Sequence, residues 1–146
     1  MNVVAEDPAA MVPTKDMDAV KRTLGILGPR LGPLVDLFYM RLFAIAPAAR
    51  GLFPDDMSAQ NDKFDSMLGD LVRLIDRPED FADRVRDLGR RHRDYGAEPR
   101  HYALVEEALV WALARELGPA FTPHVEESWK SFYRSLSRTM IEAAGL

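Results

Sequence analysis

The residue most suited to chemistry is His92, which lies on the apolar face of a predicted helix. In the segment FADRVRDLGRRH, Phe81, Val85 and Leu88 recur at a spacing that places them on one helical stripe. His92 comes four residues after Leu88 and falls on the same stripe, whereas the charged residues face the other way. An inward imidazole is either a core histidine that is hydrogen-bonded to a neighbour or a ligand for a metal. The spacing of this helix leaves both interpretations open.

The rest of the chemically active residues offer little for catalysis by protein groups alone. His101 and His124 lie at the starts of predicted helices, so we expect both to be exposed. The chain has no HExxH, GxGxxG, GxxxxGK[ST] or GxSxG motif, which argues against zinc hydrolases, nucleotide sites and hydrolase elbows. It has no cysteine, which excludes disulfides, iron–sulfur clusters and thiol nucleophiles. If this protein carries out chemistry, a bound cofactor must supply it.

Length and composition indicate one ordinary globular domain. The 146 residues are 47% apolar and 29% charged, and the net charge of −4 offers no attraction to nucleic acid. The N-terminus lacks the pattern of a signal peptide, and no apolar run approaches the ~20 residues of a membrane span. We therefore expect a cytoplasmic protein. Residues 1–13 are expected to be a flexible lead-in to a domain spanning 14–146.

The hydrophobic period is helical almost throughout, and no segment alternates as a strand does. Proline and glycine mark the breaks, for example at Gly28-Pro29, Pro47 and Gly118-Pro119. Helices are predicted from about residue 31, over 57–75, over 100–117 and after Thr122-Pro123. The sequence therefore predicts an all-α fold of about seven helices.

Four ordered segments together resemble a known family. They read FYMRLFAIAPAARGLF, MSAQNDKF, LGRRHRDYGAEPRHYALVEEALVWAL and FTPHVEESWKSFY. Their order and spacing are similar to those of bacterial single-domain haemoglobins and of the globin domain of flavohaemoglobins, over residues 20–140. The resemblance implies a globin fold that encloses haem b. It also implies that His92 is the proximal ligand of a pentacoordinate iron, with the second axial position open to a gas.

The resemblance implies roles for residues on both sides of the haem. Tyr39 and Gln60 match the distal pair that donates hydrogen bonds to bound oxygen. Phe53 matches the phenylalanine that stacks on the porphyrin, and Tyr102 matches the tyrosine packed beside the proximal histidine. The remaining expected contacts are Leu88 and Val105 lining the haem, Phe64 narrowing the distal cavity where the family usually has an aliphatic residue, and Lys63 and Arg91 binding the propionates.

A second departure from the flavohaemoglobin pattern lies on the last helix. There, a glutamate on the last helix joins the tyrosine to the proximal histidine, and counting from Trp129 places Ala144 at that position. Glu142 is two residues earlier, about 200° around a helix, so it is not expected to substitute. We expect His92 to bond a backbone carbonyl or water instead and to donate less electron density to the iron.

The expected function is reversible O2 binding, with oxidation of nitric oxide to nitrate as the reaction. The sequence contains no flavin or nicotinamide domain, so such a nitric oxide dioxygenase would need a separate electron-donating reductase. A carrier or sensor of O2 or NO, sulfide or nitrite chemistry at the same iron, and a haem-free helical interaction domain remain alternatives. The expected partners are small gas ligands and the reductase, with no nucleic acid or membrane. Monomer and homodimer are both left open.

Overall fold

The computed structural model describes residues 14–28 and 31–146, and this part of the chain is helical without strands. The prediction of an all-α chain is confirmed, whereas the expected lead-in at residues 1–13 lies outside the described residues. None of the described helices has the length and apolar character needed to cross a membrane. The α-helices are α1 (Thr14–Leu27), α2 (Leu31–Ile45), α3 (Ser58–Leu74), α4 (Pro78–Asp94), α5 (Pro99–Leu117) and α6 (Pro123–Ala144), with 3-10 helices at Pro47–Leu52 and Gly118–Ala120.

Proline and a side-chain cap determine where the later helices begin. Pro78, Pro99 and Pro123 each stand in the first turn of their helix, where the missing N–H costs no intrahelical bond. At the start of α6, Thr122 Oγ1 accepts a hydrogen bond from the N–H of Val125 at 3.2 Å. These local signals are readable in the sequence, and the predicted bounds of α3 and α5 agree with the structure to within one residue.

Three helix pairs form the frame: α4 against α6, α2 against α5, and α1 against α6. The remaining long helix, α3, has no fully buried residue. Its apolar face, which includes Phe64, Leu68 and Leu71, packs against the core but stays half-buried. The neighbours of α3 are mainly α2 and α4, so protein covers this face incompletely.

Buried polar groups join α1 to α6. Trp129 Nε1 donates to Thr23 Oγ1 at 2.8 Å, and the Thr23 hydroxyl in turn lies 2.9 Å from the carbonyl oxygen of Ala19. Nearby, Ser128 Oγ donates to Asp16 Oδ1 at 2.9 Å. Each group is buried and partnered, as burial requires. These bonds fix the register of α1 on α6.

Replacing Thr23 with valine is expected to lower the free energy of unfolding by about 1–3 kcal/mol. The variant keeps the shape of the side chain but leaves the buried Trp129 Nε1–H without an acceptor. Urea denaturation followed by circular dichroism measures the change. Thr23→Val should cost less in a Trp129→Phe background than in the wild type, because the indole donor is then already absent. A single-variant change smaller than about 0.5 kcal/mol would contradict this account of the pair.

Candidate functional site

Tyr39 and Gln60 meet where α2 crosses the first turn of α3. Gln60 Nε2 donates a hydrogen bond to Tyr39 Oη at 3.1 Å. Tyr39 is 7% exposed, and burial raises the pKa of its hydroxyl, with a smaller opposing effect from the Gln60 bond. The hydroxyl is therefore protonated at neutral pH. Because its oxygen accepts from Gln60, its proton is left to donate to another group.

A second hydrogen bond fixes the same helix crossing. Asn61 Nδ2 donates to Asp36 Oδ1 at 3.1 Å. Asp36 precedes Tyr39 by three residues and Asn61 directly follows Gln60, so the two bonds lie side by side between α2 and α3. Periodicity does not reveal this pair, because neither residue lies on an apolar stripe and their separation along the chain is long.

Aromatic rings enclose the ring of Tyr39. Phe53 and Phe64 approach it edge-on, with centroids at 5.5 and 5.6 Å, and Phe43 stacks on it at 5.8 Å. Phe38 contacts both Tyr39 and Phe64 at 5.0 Å. Such offset contacts orient rings as well as burying them. The structure thus brings the predicted residues Phe53 and Phe64 into direct contact with Tyr39.

Arg50 holds the corner that carries Phe53, a role that the sequence analysis missed. Its guanidinium donates to the carbonyl oxygens of Phe53, Pro54 and Asp55 at 3.3, 2.8 and 2.9 Å. It also lies 5.1 Å from the centroid of Phe43. The signal for this role is an arginine three residues before a Phe-Pro-Asp corner, where several backbone carbonyls lack helical partners.

His92 is half-buried on α4, and its Nδ1 lies 2.7 Å from the carbonyl oxygen of Leu88. Since a carbonyl accepts, Nδ1 carries the proton and the lone pair is on Nε2. Burial lowers the pKa of the imidazole, and the Leu88 bond opposes this in part. The ring is therefore neutral at pH 7, the form that can bind a metal ion through Nε2.

Tyr102 on α5 lies next to His92, with ring centroids 6.4 Å apart. It is buried, and its hydroxyl oxygen has no hydrogen-bond partner among the described residues. The backbone carbonyl of Tyr102 is occupied, because Tyr133 Oη donates to it at 2.8 Å. A buried hydroxyl without a partner indicates a place where a bound group or a water molecule completes the site.

Alkaline pH is expected to destabilise the fold. Burial raises the pKa of Tyr133, Tyr39 and Tyr102, so above pH ~10 these hydroxyls ionise in the unfolded chain before they ionise in the folded one. The unfolded state then binds fewer protons, and stability falls as pH rises. Melting temperatures between pH 8 and 11 measure this. Tyr133→Phe should flatten the decline and the exposed Tyr95→Phe should not, whereas equal slopes would contradict the assignment.

The other predicted residues fall into two groups. Leu88 is buried on α4, and Val105 is half-buried on α5 against the core. Lys63 and Arg91 are exposed, and Arg91 Nε lies 3.0 Å from Asp87 Oδ2 on the same helix. The structure places both charges at the surface. Their contact with propionates stays a prediction.

The end of α6 lacks the carboxylate that the flavohaemoglobin pattern would place beside Tyr102. Ala144 is buried at 4% exposure, and Glu142 is exposed. The carbonyl oxygen of Ala144 accepts a hydrogen bond from Arg93 Nη1 at 3.2 Å. No carboxylate in the described part of the chain binds the Tyr102 hydroxyl, so the Leu88 carbonyl is the partner that the structure gives to the His92 ring.

Comparison with known proteins places this arrangement in a family. The family model described as Globin matches residues 36–140, which includes every predicted site residue from Tyr39 to Val105. The chain belongs to the globin family. An uncharacterized globin-like protein of Aquifex aeolicus is 26% identical over 131 residues, which cover 90% of this chain and 93% of that protein.

Solved structures show the same globin fold at low sequence identity. A flavohaemoglobin from Malassezia yamatoensis with bound FAD and haem superposes with a TM-score of 0.77 at 23% identity. The alignment covers 92% of this globin but 37% of the flavohaemoglobin. A hexacoordinated haem protein from an anhydrobiotic tardigrade also gives a TM-score of 0.77, at 18% identity, with 92% and 96% of the two chains covered. The family match and these haem-containing neighbours support a haem cofactor.

Proposed function

We propose that this globin binds haem b through His92, binds O2 and other diatomic gases reversibly at a pentacoordinate iron, and supports nitric oxide dioxygenation with a separate reductase. The observation that carries the proposal is the buried Tyr39 hydroxyl, whose oxygen accepts from Gln60 and whose proton is left for another acceptor. A fixed, protonated donor of this kind suits a ligand that carries partial negative charge.

The residues of the chain fit a haem. His92 offers an unprotonated Nε2, and the half-buried side chains of Phe64, Leu68 and Val105 offer apolar surface that protein leaves partly uncovered. The iron of a histidine-bound haem requires a neutral imidazole, and its porphyrin requires an apolar slot. Residues that would hold the group are His92 at the iron, Phe53, Phe64, Leu88, Tyr102 and Val105 around the ring, and Lys63 and Arg91 at the propionates.

When bound, the haem supplies an iron atom to which O2 and nitric oxide bind reversibly. The protein then contributes position and electrostatics. Tyr39 donates a hydrogen bond to the ligand, and Gln60 holds the Tyr39 oxygen so that the proton points away from α3. Phe43, Phe53 and Phe64 surround the Tyr39 ring and keep water from competing for its hydroxyl.

Sustained turnover needs an electron donor. The flavohaemoglobin neighbour contains FAD as well as haem, and this globin aligns with 37% of it. We therefore propose a reductase as the second partner, meeting this globin in the cytoplasm. The proposal includes a pentacoordinate iron, whereas the tardigrade neighbour is a hexacoordinated haem protein. The reduced, gas-free spectrum of the haem-loaded protein distinguishes the two coordination states.

The decisive experiment adds nitric oxide to the oxygenated, haem-loaded globin and measures nitrate. One nitrate per haem, formed together with oxidation of the iron, supports dioxygenation. Nitric oxide that stays bound, with no nitrate released, contradicts it. The same reaction with a NAD(P)H-dependent flavoreductase added should become catalytic.

A carrier of O2 or NO without turnover is the second candidate, favoured by one observation. The Tyr102 hydroxyl has no carboxylate partner and Ala144 stands where flavohaemoglobins are expected to have a glutamate, so His92 is a weaker electron donor. Ala144→Glu is the matched test. Faster nitrate formation in this variant would show that the missing carboxylate limits the reaction and would support the carrier. An unchanged rate of nitrate formation would count against that argument.

A further inference from the structure

Helices α4 and α6 lie side by side in one constant register. Phe81 contacts Phe132 with ring centroids 6.1 Å apart, Gly89 meets the backbone of Met140, and Arg93 binds the carbonyl oxygen of Ala144. Each of these pairs is separated by 51 residues. The two helices therefore run parallel, and the register is held from the first turn of α4 to its last.

The backbones of α4 and α6 approach each other closely at Gly89. A Cβ built on Gly89 would lie 2.6 Å from the Cα and 2.7 Å from the carbonyl carbon of Met140, and closer still to the Met140 carbonyl oxygen. Ordinary Cβ contacts begin at 3.4 Å, and the atoms here are backbone atoms that no rotamer change can move aside. Any side chain at position 89 must therefore push α4 away from α6 by about 0.8 Å or more.

The same turn of α4 carries the ring of His92. Leu88 and His92 form one i, i+4 pair, and Gly89 and Arg93 form the next pair, on an adjacent face of the helix. Gly89 and His92 are three residues apart, so their directions differ by about 60°. The face that meets α6 and the face that presents the imidazole are thus rigidly connected through a single turn.

We propose that Gly89 and Arg93 are positioning residues, which dock α4 on α6 and thereby set where the His92 imidazole stands. Gly89 permits the backbone contact, and the Arg93 guanidinium ties the last turn of α4 to the end of α6 at 3.2 Å. The proposal rests on His92 being the haem ligand, and it concerns how that ligand is held. It also gives the buried end of α6 a role that needs no side-chain carboxylate.

The test compares Gly89→Ala and Arg93→Gln with the matched controls Gly25→Ala and Arg90→Gln. Gly25 has open space around it, and Arg90 is exposed on the same helix. The readout is the iron–histidine vibration, measured by resonance Raman immediately after carbon monoxide is removed by a laser flash. We expect a shifted band in both test variants, larger in Gly89→Ala, together with a several-fold change in carbon monoxide rebinding. The controls should match the wild type.

Unchanged bands in variants that fold and retain haem would overturn the proposal. If Gly89→Ala does not fold, Arg93→Gln is the deciding variant. An iron–histidine band in Arg93→Gln that equals that of the wild type would then overturn the proposal. Amide hydrogen exchange of the haem-free protein is the second readout. Faster exchange over residues 88–93 in Gly89→Ala, and not in Gly25→Ala, supports docking even if the wild type binds no haem, whereas unchanged exchange counts against it. The two readouts therefore separate failure of this inference from failure of haem binding.

Discussion

Oxygen should leave the Tyr39→Phe variant at least several-fold faster than it leaves the wild type. The substitution keeps the ring among Phe43, Phe53 and Phe64 but removes the hydroxyl that we propose donates to the ligand. A hydrogen bond to a charged group contributes about 1.5–3 kcal/mol, which corresponds to about 10- to 150-fold in the dissociation rate. Stopped-flow replacement of O2 by carbon monoxide measures this rate directly.

Tyr95→Phe is the matched control, because Tyr95 is 68% exposed and is not among the aromatic residues around Tyr39. Its oxygen dissociation rate should equal that of the wild type. The Gln60→Leu variant should release oxygen at a rate between those of the wild type and Tyr39→Phe. It loses the bond that orients the Tyr39 hydroxyl but keeps the donor itself. An unchanged rate in Tyr39→Phe would show that this hydroxyl does not contact the ligand.

His92→Ala should lose haem altogether during gel filtration. We propose that the imidazole binds the iron, because its Nε2 is unprotonated when Nδ1 donates to the Leu88 carbonyl. The ratio of Soret to protein absorbance after the column measures retention. Imidazole added to the buffer should restore part of the band by entering the space left by the side chain.

His124→Ala provides the control for this loss, because His124 is exposed in the first turn of α6. Its haem content should match that of the wild type, and circular dichroism should show that both variants stay helical. Full retention of haem by His92→Ala, with an unaltered spectrum, would mean that another group binds the iron.

The helices were predictable because their signals are local. Thr122 followed by Pro123 predicts the start of α6, which the structure reproduces, and the stripe through Phe81, Val85 and Leu88 is buried as its spacing predicts. The half-burial of α3 was not predictable from periodicity. A period shows which residues share a face, but the extent to which other helices cover that face depends on packing between distant segments.

Contacts between residues far apart in the sequence were equally unpredictable. The bond between Trp129 and Thr23 and the contact between Gly89 and Met140 join residues 106 and 51 positions apart. Nothing in the pattern around Gly89 distinguishes it from a glycine with open space such as Gly25, because the difference lies in the helix that packs against it. The roles of Tyr39, Gln60 and His92 came from a resemblance spread over the chain, and their geometry came from the structure.

The most direct test is a crystal structure of the haem-loaded protein. We predict a haem whose iron is bound by Nε2 of His92, with Nδ1 still bonded to the Leu88 carbonyl and with Tyr39 and Gln60 on the opposite face. A macrocycle bound elsewhere, or a His92 ring turned towards bulk water, would contradict it.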